Sequence, residues 1–305
     1  MQTLLSSHSV FKTSALFIGA LLLYGCSSTP EYYQPQVQTL ETIQHSNPQT
    51  RTLAIAFGGG GVRGFVHLGV IKALDEANIR ADLVTGSSIG AVAATLYASG
   101  LPYAQIEKIV IGLESGEIID FAPQSMGLLA HKNLAKWIEH HAGVNQIEDL
   151  ALPLGITVTQ LNRHQPLLIH QGELGKAVQA STTVPGTFIP LMGLDSIWLD
   201  GGILNILPVR FAKALGAQKV IGVDIYCGEQ TYQAQNAFGV LLASNRLQSC
   251  ALAKPDQQLA DVLIQPNFEP KDPKSFAESR AAIDAGYQAT LLVIPKIQQL
   301  LASPK

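Results

Sequence analysis

The sequence predicts an α/β protein built on a mainly parallel central sheet with helices on both faces. From Leu53 to Gly90 two strand–turn–helix units follow one another directly, each an apolar run closed by glycines. Beyond Gly90, short apolar runs keep alternating with stretches of helical period, as crossover connections between parallel strands require. The length of 305 residues is ample for a large core. A net charge of −3, 14% charged residues and no arginine-rich run exclude a nucleic-acid partner.

The chain opens with Lys12 and an apolar run, Ala15 to Leu23, too short to cross a bilayer core of ~30 Å as a helix. It ends in Leu23-Tyr24-Gly25-Cys26 followed by Ser27-Ser28, which resembles the lipobox of bacterial lipoproteins. Residues 1–25 are then a signal peptide and Cys26 the lipidated residue, tying the protein to a membrane surface. The alternatives are an ordinary signal peptide or an uncleaved anchor, with Cys26 incidental. Residues 26–51 are polar, proline-containing and aperiodic, which predicts a flexible tether. With no acid directly after Cys26, resemblance to lipoproteins favours the outer membrane of a bacterial envelope, facing the periplasm. This divides the chain into a catalytic domain, 52–226, and a helical C-terminal extension, 227–305, packed on it.

Leu53–Phe57 is the first buried strand; Gly58 to Gly61 form its turn, and Val62-Arg63-Gly64 opens a helix. The second strand, from Ala81, ends in Gly86-Ser87-Ser88-Ile89-Gly90. Ile89–Ser99 is a small-residue helix stopped by Gly100-Leu101-Pro102, and Leu101–Gly112 is another. Residues 113–145 interrupt the alternation. There Leu134, Trp137, Ile138 and His141 fall at helical spacing, the mark of a core face or of an apolar lid. Leu154–Leu161 and Leu167–His170 read as strands and Glu173–Ala180 as a helix. Ile197–Leu199 is a strand closed by Asp200-Gly201-Gly202, Pro208–Leu215 a helix, and Lys219–Ile225 a buried strand. A helix from Val240 to Leu252, a strand near Asp261–Gln265 and one long helix, Ser275–Leu301, complete the chain.

The two glycine turns carry the chemistry. G-x-S-x-G between a strand and a helix is a nucleophile elbow, in which glycines two residues either side leave the serine exposed. Only Ser88, between Gly86 and Gly90, has that frame; Ser87 would lie between Thr85 and Ile89. The amides of Gly59, Gly60 and Gly61, at a helix start, suit the oxyanion of acyl transfer, so a methyl group on Gly60 is expected to intrude there. Gly59, Gly61 and Gly64 also fit a dinucleotide fingerprint, but the next strand ends in the serine turn where a ribose-binding acid would stand. A triad of hydrolase order needs a histidine after the acid, and none follows His170. His67 is read as facing solvent or core. A carboxylate is therefore the base: Asp200 first, Asp224 its rival, either of which would otherwise merely cap a turn.

These blocks, Gly59-Gly60-Gly61-Val62-Arg63-Gly64, Gly86-Ser87-Ser88-Ile89-Gly90 and Asp200-Gly201-Gly202, resemble the signature blocks of the patatin-like phospholipases. Ala180–Gly186 and Asn205–Val209 are similar to stretches flanking the third, and the likeness covers about residues 53–225. It implies a three-layer α/β/α sandwich and hydrolysis of phospholipid or lysophospholipid through a Ser88–Asp200 dyad and an acyl-enzyme. It implies no cofactor, and no metal-ligand spacing is present. Gln160, where relatives often carry aspartate, bears on substrate preference. Other readings are a hydrolase of small esters or thioesters, and an envelope scaffold without catalysis. Cys227 and Cys250 either pair or remain thiols.

Overall fold

The computed structural model describes residues 30–46, 49–228, 236–272 and 275–303. The signal-peptide and Cys26 expectations lie outside them. The chain divides into two units, Met1–Glu31 and Tyr32–Lys305, and the second holds the sheet and its helices.

The sheet runs β10-β9-β1-β2-β5-β8-β7, with β6 also on β5. The strands are β1 Arg51–Phe57, β2 Leu83–Ser87, β5 Leu154–Gln160, β6 Leu167–Ile169, β7 Leu191–Met192, β8 Ile197–Asp200, β9 Ala217–Val223 and β10 Val262–Ile264. The stretch from β10 to β5 is parallel throughout. β6 and β8 join β5 antiparallel, and β7 joins β8 in the same sense. β1 is buried from Leu53 onward and β2 throughout, as a sheet covered on both faces demands. The predicted fold class stands.

Parallel register sets the site. Phe57 pairs with Gly86, and Ser87 with Thr157, so the chain leaves β1 and β2 side by side at the carboxyl end of the sheet. β8 enters from above: Trp198 pairs with Gln160 at the end of β5, and Asp200 with Val158. Because β8 is antiparallel, its last residue comes down to the level at which β2 turns away. A groove at the other end of the sheet, lined by Arg51, Leu83, Leu154 and His170, is remote from this edge.

Several expectations change. Much of the expected tether is packed: Tyr33 is buried, its carbonyl accepts from Trp198 Nε1 at 2.8 Å, and Gln38 bridges to Leu168. Leu40–His45 is a helix capped by Thr39, with Ile43 buried against Leu168 and Phe211. Two buried side chains, Tyr33 and Ile43, in so polar a stretch make no periodicity a sequence can display. The strand pattern also begins earlier, at Arg51.

The extension 227–305 contributes a strand, β10, to the sheet as well as helices. Its helix Ala237–Leu259 passes through Pro255 and outruns Leu252; Asp256, just beyond, is held by Arg210 Nε and Asn205 Nδ2. The long helix expected over Ser275–Leu301 is two, Ser279–Leu291 and Ile294–Ala302, with Pro295 in the first turn of the second, where its missing N–H goes unneeded. The first packs on the helix Val66–Glu76 so closely that a Cβ on Gly69 would lie 1.9 Å from the Ile283 carbonyl oxygen.

In the 113–145 interruption, Leu134 and Ile138 are buried, so that stripe faces the core. The exposed apolar groups belong to an unforeseen hairpin, β3 Asp120–Gln124 with β4 Gly127–Ala130, which shows Phe121, Met126 and Leu128 to solvent.

Candidate active site

Ser88 sits between β2 and the helix Ile89–Ala98 with φ 53° and ψ −129°. For a serine this backbone is strained by ~1–3 kcal/mol and persists only where its surroundings enforce it. They do. A Cβ on Gly90 would lie 2.2 Å from the Phe57 carbonyl oxygen, and one on Gly86 2.5 Å from Ala91 Cα, so both glycines are required by close approach. Ser181 Oγ accepts the Ser88 amide at 2.9 Å and holds the turn from the side.

The hydroxyl so presented donates to Asp200 Oδ2 at 2.6 Å. Asp200 is fixed in turn: its amide donates to the Thr183 carbonyl at 2.8 Å, and Gly202 N–H donates to Oδ1 at 2.7 Å. Gly201 lets β8 close on β5, since a Cβ there would meet the Thr157 carbonyl oxygen at 2.3 Å. One on Gly202 would meet Ile206 Cδ1 at 2.4 Å. Burial pushes the Asp200 carboxyl up to about 6, against the bonds from Ser88 and Gly202, which favour the charged form. It is thus ionised at neutral pH, yet more basic than an ordinary carboxylate, which suits a general base.

Asp224, the rival, is saturated elsewhere. Its Oδ1 accepts the amides of Tyr226 and Cys227, and its Oδ2 accepts Gln257 Nε2 and Gln265 Nε2. It caps a turn and braces the C-terminal region. Among the described residues no histidine bonds to Ser88 or Asp200. His67 is buried edge-on to Phe57 with its Nε2 2.8 Å from the Gly58 carbonyl oxygen, and burial lowers its pKa to about 4. It is a neutral strut under the glycine loop, donating that hydrogen bond. Gln160 stays at the end of β5 opposite Trp198.

The glycine loop differs from expectation in one donor. Gly59 N–H donates to the Ile206 carbonyl at 2.9 Å, just as Gly58 N–H donates to Val223. Gly59 is therefore occupied, and it is its missing side chain that matters: a Cβ would stand 3.0 Å from Ser88 Cβ. The amides of Gly60 and Gly61 have no acceptor among the described residues. Gly61 has φ +60°, with open space where a Cβ would project. A Cβ on Gly60 would point at Ile225 Cγ1, 2.8 Å away, and so presses on the core. Gly64 lies against Ile89, the residue after Ser88, 2.3 Å from a Cβ to Ile89 Cγ1, and this locks the two turns together.

Arg63 is buried and donates through Nη1 to the Gly60 carbonyl at 3.3 Å. Its other nitrogen, Nη2, pairs with Glu269. Sequence reasoning missed Glu269, as it missed the part Ser181 plays. Cys227 and Cys250 form a disulfide with Cα atoms 5.3 Å apart.

With this geometry in view, comparison with known proteins identifies the class. Residues 55–213 match the patatin-like phospholipase family, and the chain belongs to it. Lysophospholipase nte1 of Aspergillus fumigatus is 32% identical over 181 residues, 57% of this chain and 12% of that protein. Patatin-like phospholipase domain-containing protein 6 of Homo sapiens is 32% identical over 190 residues, 59% of this chain and 14% of that one. The chain thus corresponds to a small part of these relatives. Superposed on VipD from Legionella pneumophila it gives a TM-score of 0.49 at 14% identity, over 91% of this chain and 73% of that one.

Proposed function

We propose that this protein is a lipid acyl hydrolase that cleaves the carboxylic esters of phospholipid or lysophospholipid through a Ser88–Asp200 dyad. The observation that carries the reading is the 2.6 Å bond from Ser88 Oγ to Asp200 Oδ2 on a strained elbow. Family membership and the relatives' names supply the lipid ester.

In this mechanism Asp200 takes the Ser88 proton as Oγ attacks the ester carbonyl carbon. The carbonyl oxygen becomes an oxyanion held by the Gly60 and Gly61 amides. Collapse breaks the ester C–O bond, and the departing alcohol takes the proton from Asp200. Water then attacks the acyl-Ser88, giving its proton to Asp200, and the fatty acid leaves as Ser88 regains its hydrogen. No metal or cofactor enters a step.

We also propose that Cys26 anchors the chain by lipid to a bacterial envelope, most simply the outer membrane facing the periplasm, with residues 52–226 as the catalytic part. The Cys227–Cys250 pair supports an oxidising compartment. The test is a panel of micellar phospholipids, lysophospholipids and short soluble esters offered to a protein beginning near Ser27. Fatty-acid release from lipid above that from the short esters supports the reading. Hydrolysis of short esters alone would transfer the dyad to a small-ester enzyme.

A further inference from the structure

The glycine loop is not held by its own neighbourhood alone. Arg63 reaches the Gly60 carbonyl with one nitrogen and Glu269 with another, so a carboxylate 206 residues away sets the angle of the guanidinium. Glu269 is shared. Arg246 Nη1 donates to its two oxygens at 3.2 and 3.1 Å, and Nη2 donates to Oε2 at 3.1 Å. Arg246 is itself aimed by the Tyr226 carbonyl, which accepts from Nε at 2.9 Å and from Nη2 at 2.8 Å. The Tyr226 ring takes both cations on its π system, Arg246 at 4.7 Å and Arg63 at 5.5 Å from the centroid. One turn beyond Arg246, Cys250 is bonded to Cys227, the neighbour of Tyr226, which staples this assembly.

Two guanidiniums this close repel unless a carboxylate lies between them, and a buried guanidinium does not stay where it is unpaired. Glu269 answers both needs. A donor on the Gly60 carbonyl fixes the peptide whose N–H belongs to Gly61, one of the two amides free to meet an oxyanion. Tyr226, Arg246 and Glu269 all lie outside the family match of residues 55–213.

We infer that Glu269 is a positioning residue for the oxyanion loop, acting through Arg63 on the Gly60–Gly61 peptide. The inference rests on the dyad reading above. The test measures kcat and KM on a short soluble ester, with fluorophosphonate labelling of Ser88 as a second readout, in the full-length protein and in Glu269→Gln, Glu269→Asp and Arg63→Met. Glu269→Gln should lower kcat ~10–100-fold, a part of what losing an oxyanion donor costs, with KM within about twofold. Its labelling rate should fall in parallel, because phosphonylation builds charge on a phosphoryl oxygen that meets the same amides. Glu269→Asp, which keeps the charge, should recover part of the loss and also serves if the glutamine variant folds poorly. Adding Arg63→Met to Glu269→Gln should cost little more than Arg63→Met alone. A folded Glu269→Gln protein with wild-type kcat, or a loss confined to KM or melting temperature, overturns the inference and leaves the dyad standing. A wild-type protein whose Ser88 takes no fluorophosphonate overturns both.

Discussion

The amide of Gly59 is bonded to the carbonyl of Ile206 at 2.9 Å, and this changes what the glycine loop offers to a substrate. Of three consecutive amides that look equivalent in sequence, one closes the loop onto the segment after Asp200. The pair at Gly60 and Gly61 is left without an acceptor among the described residues, as the proposed oxyanion role requires. The same bond ties the glycine loop to the segment that follows Asp200, so the loop and the proposed dyad are hydrogen-bonded to one another.

Substitutions in the loop should separate accordingly. Gly60→Ala should lower kcat ~10-fold or more, because its methyl meets Ile225 Cγ1 at 2.8 Å and the loop must shift. Ile225→Ala in the same chain removes the obstacle and should restore part of the rate in steady-state assays. Gly61→Ala meets no atom but must hold φ +60°, so it should cost about 1–2 kcal/mol of stability in denaturant titration.

The pH profile follows from Asp200. Burial raises its pKa to about 6, and only the carboxylate can accept the Ser88 proton. Rate measurements should therefore show kcat/KM level at neutral pH and falling about tenfold per unit below about 6. Stability runs the other way. A carboxyl whose pKa is raised on folding favours the folded state below its unfolded value, and that contribution is lost as pH climbs through the folded one. Asp200→Asn, which carries no charge, should be more stable than wild type at pH 8 by about 3 kcal/mol, with the gap closing below pH 4. Stability gained by removing the carboxylate is the signature expected of a buried general base.

The disulfide should be structural. Cys227 and Cys250 close a loop of sequence separation 23, so Cys227→Ser with Cys250→Ser should lose about 3 kcal/mol in urea unfolding. Activity should fall less steeply than stability, since the hydrogen bonds of Arg246 to Tyr226 and Glu269 remain.

At the other end of the chain, Cys26→Ser should give a protein that takes no palmitate in metabolic labelling, because only a thiol can carry the anchor. Label persisting in that variant would remove the lipobox reading.

How much of this was legible in the sequence depended on distance along the chain. The elbow could be read because Gly86, Ser88 and Gly90 state their geometry within five residues. Asp200 could be put ahead of Asp224 because it ends a strand and two glycines follow it, but what engages each carboxylate came from partners in other segments. Those partners, Gln257 and Gln265 on Asp224 and Ser88 on Asp200, are brought in by the helix Ala237–Leu259, the end of β10 and the turn after β2. The occupancy of the Gly59 amide was invisible, since its acceptor is a backbone carbonyl that any residue could supply. The packing of Tyr33 and Ile43 was hidden for a related reason: isolated apolar anchors in a polar stretch look like a tether. Glu269 carries no local signal at all.

The most direct test of the dyad is a double-mutant comparison. Lipid hydrolysis and fluorophosphonate labelling are measured for Ser88→Ala, Asp200→Asn, Asp224→Asn and the Ser88→Ala, Asp200→Asn pair, each checked for fold by circular dichroism. Since a hydroxyl and its base act as one unit, the single dyad variants should each lose nearly all activity and the pair no more than either, while Asp224→Asn keeps its active site. A folded Asp200→Asn protein that hydrolyses lipid at the wild-type rate, or a histidine variant as inactive as Ser88→Ala with its fold intact, would contradict the dyad.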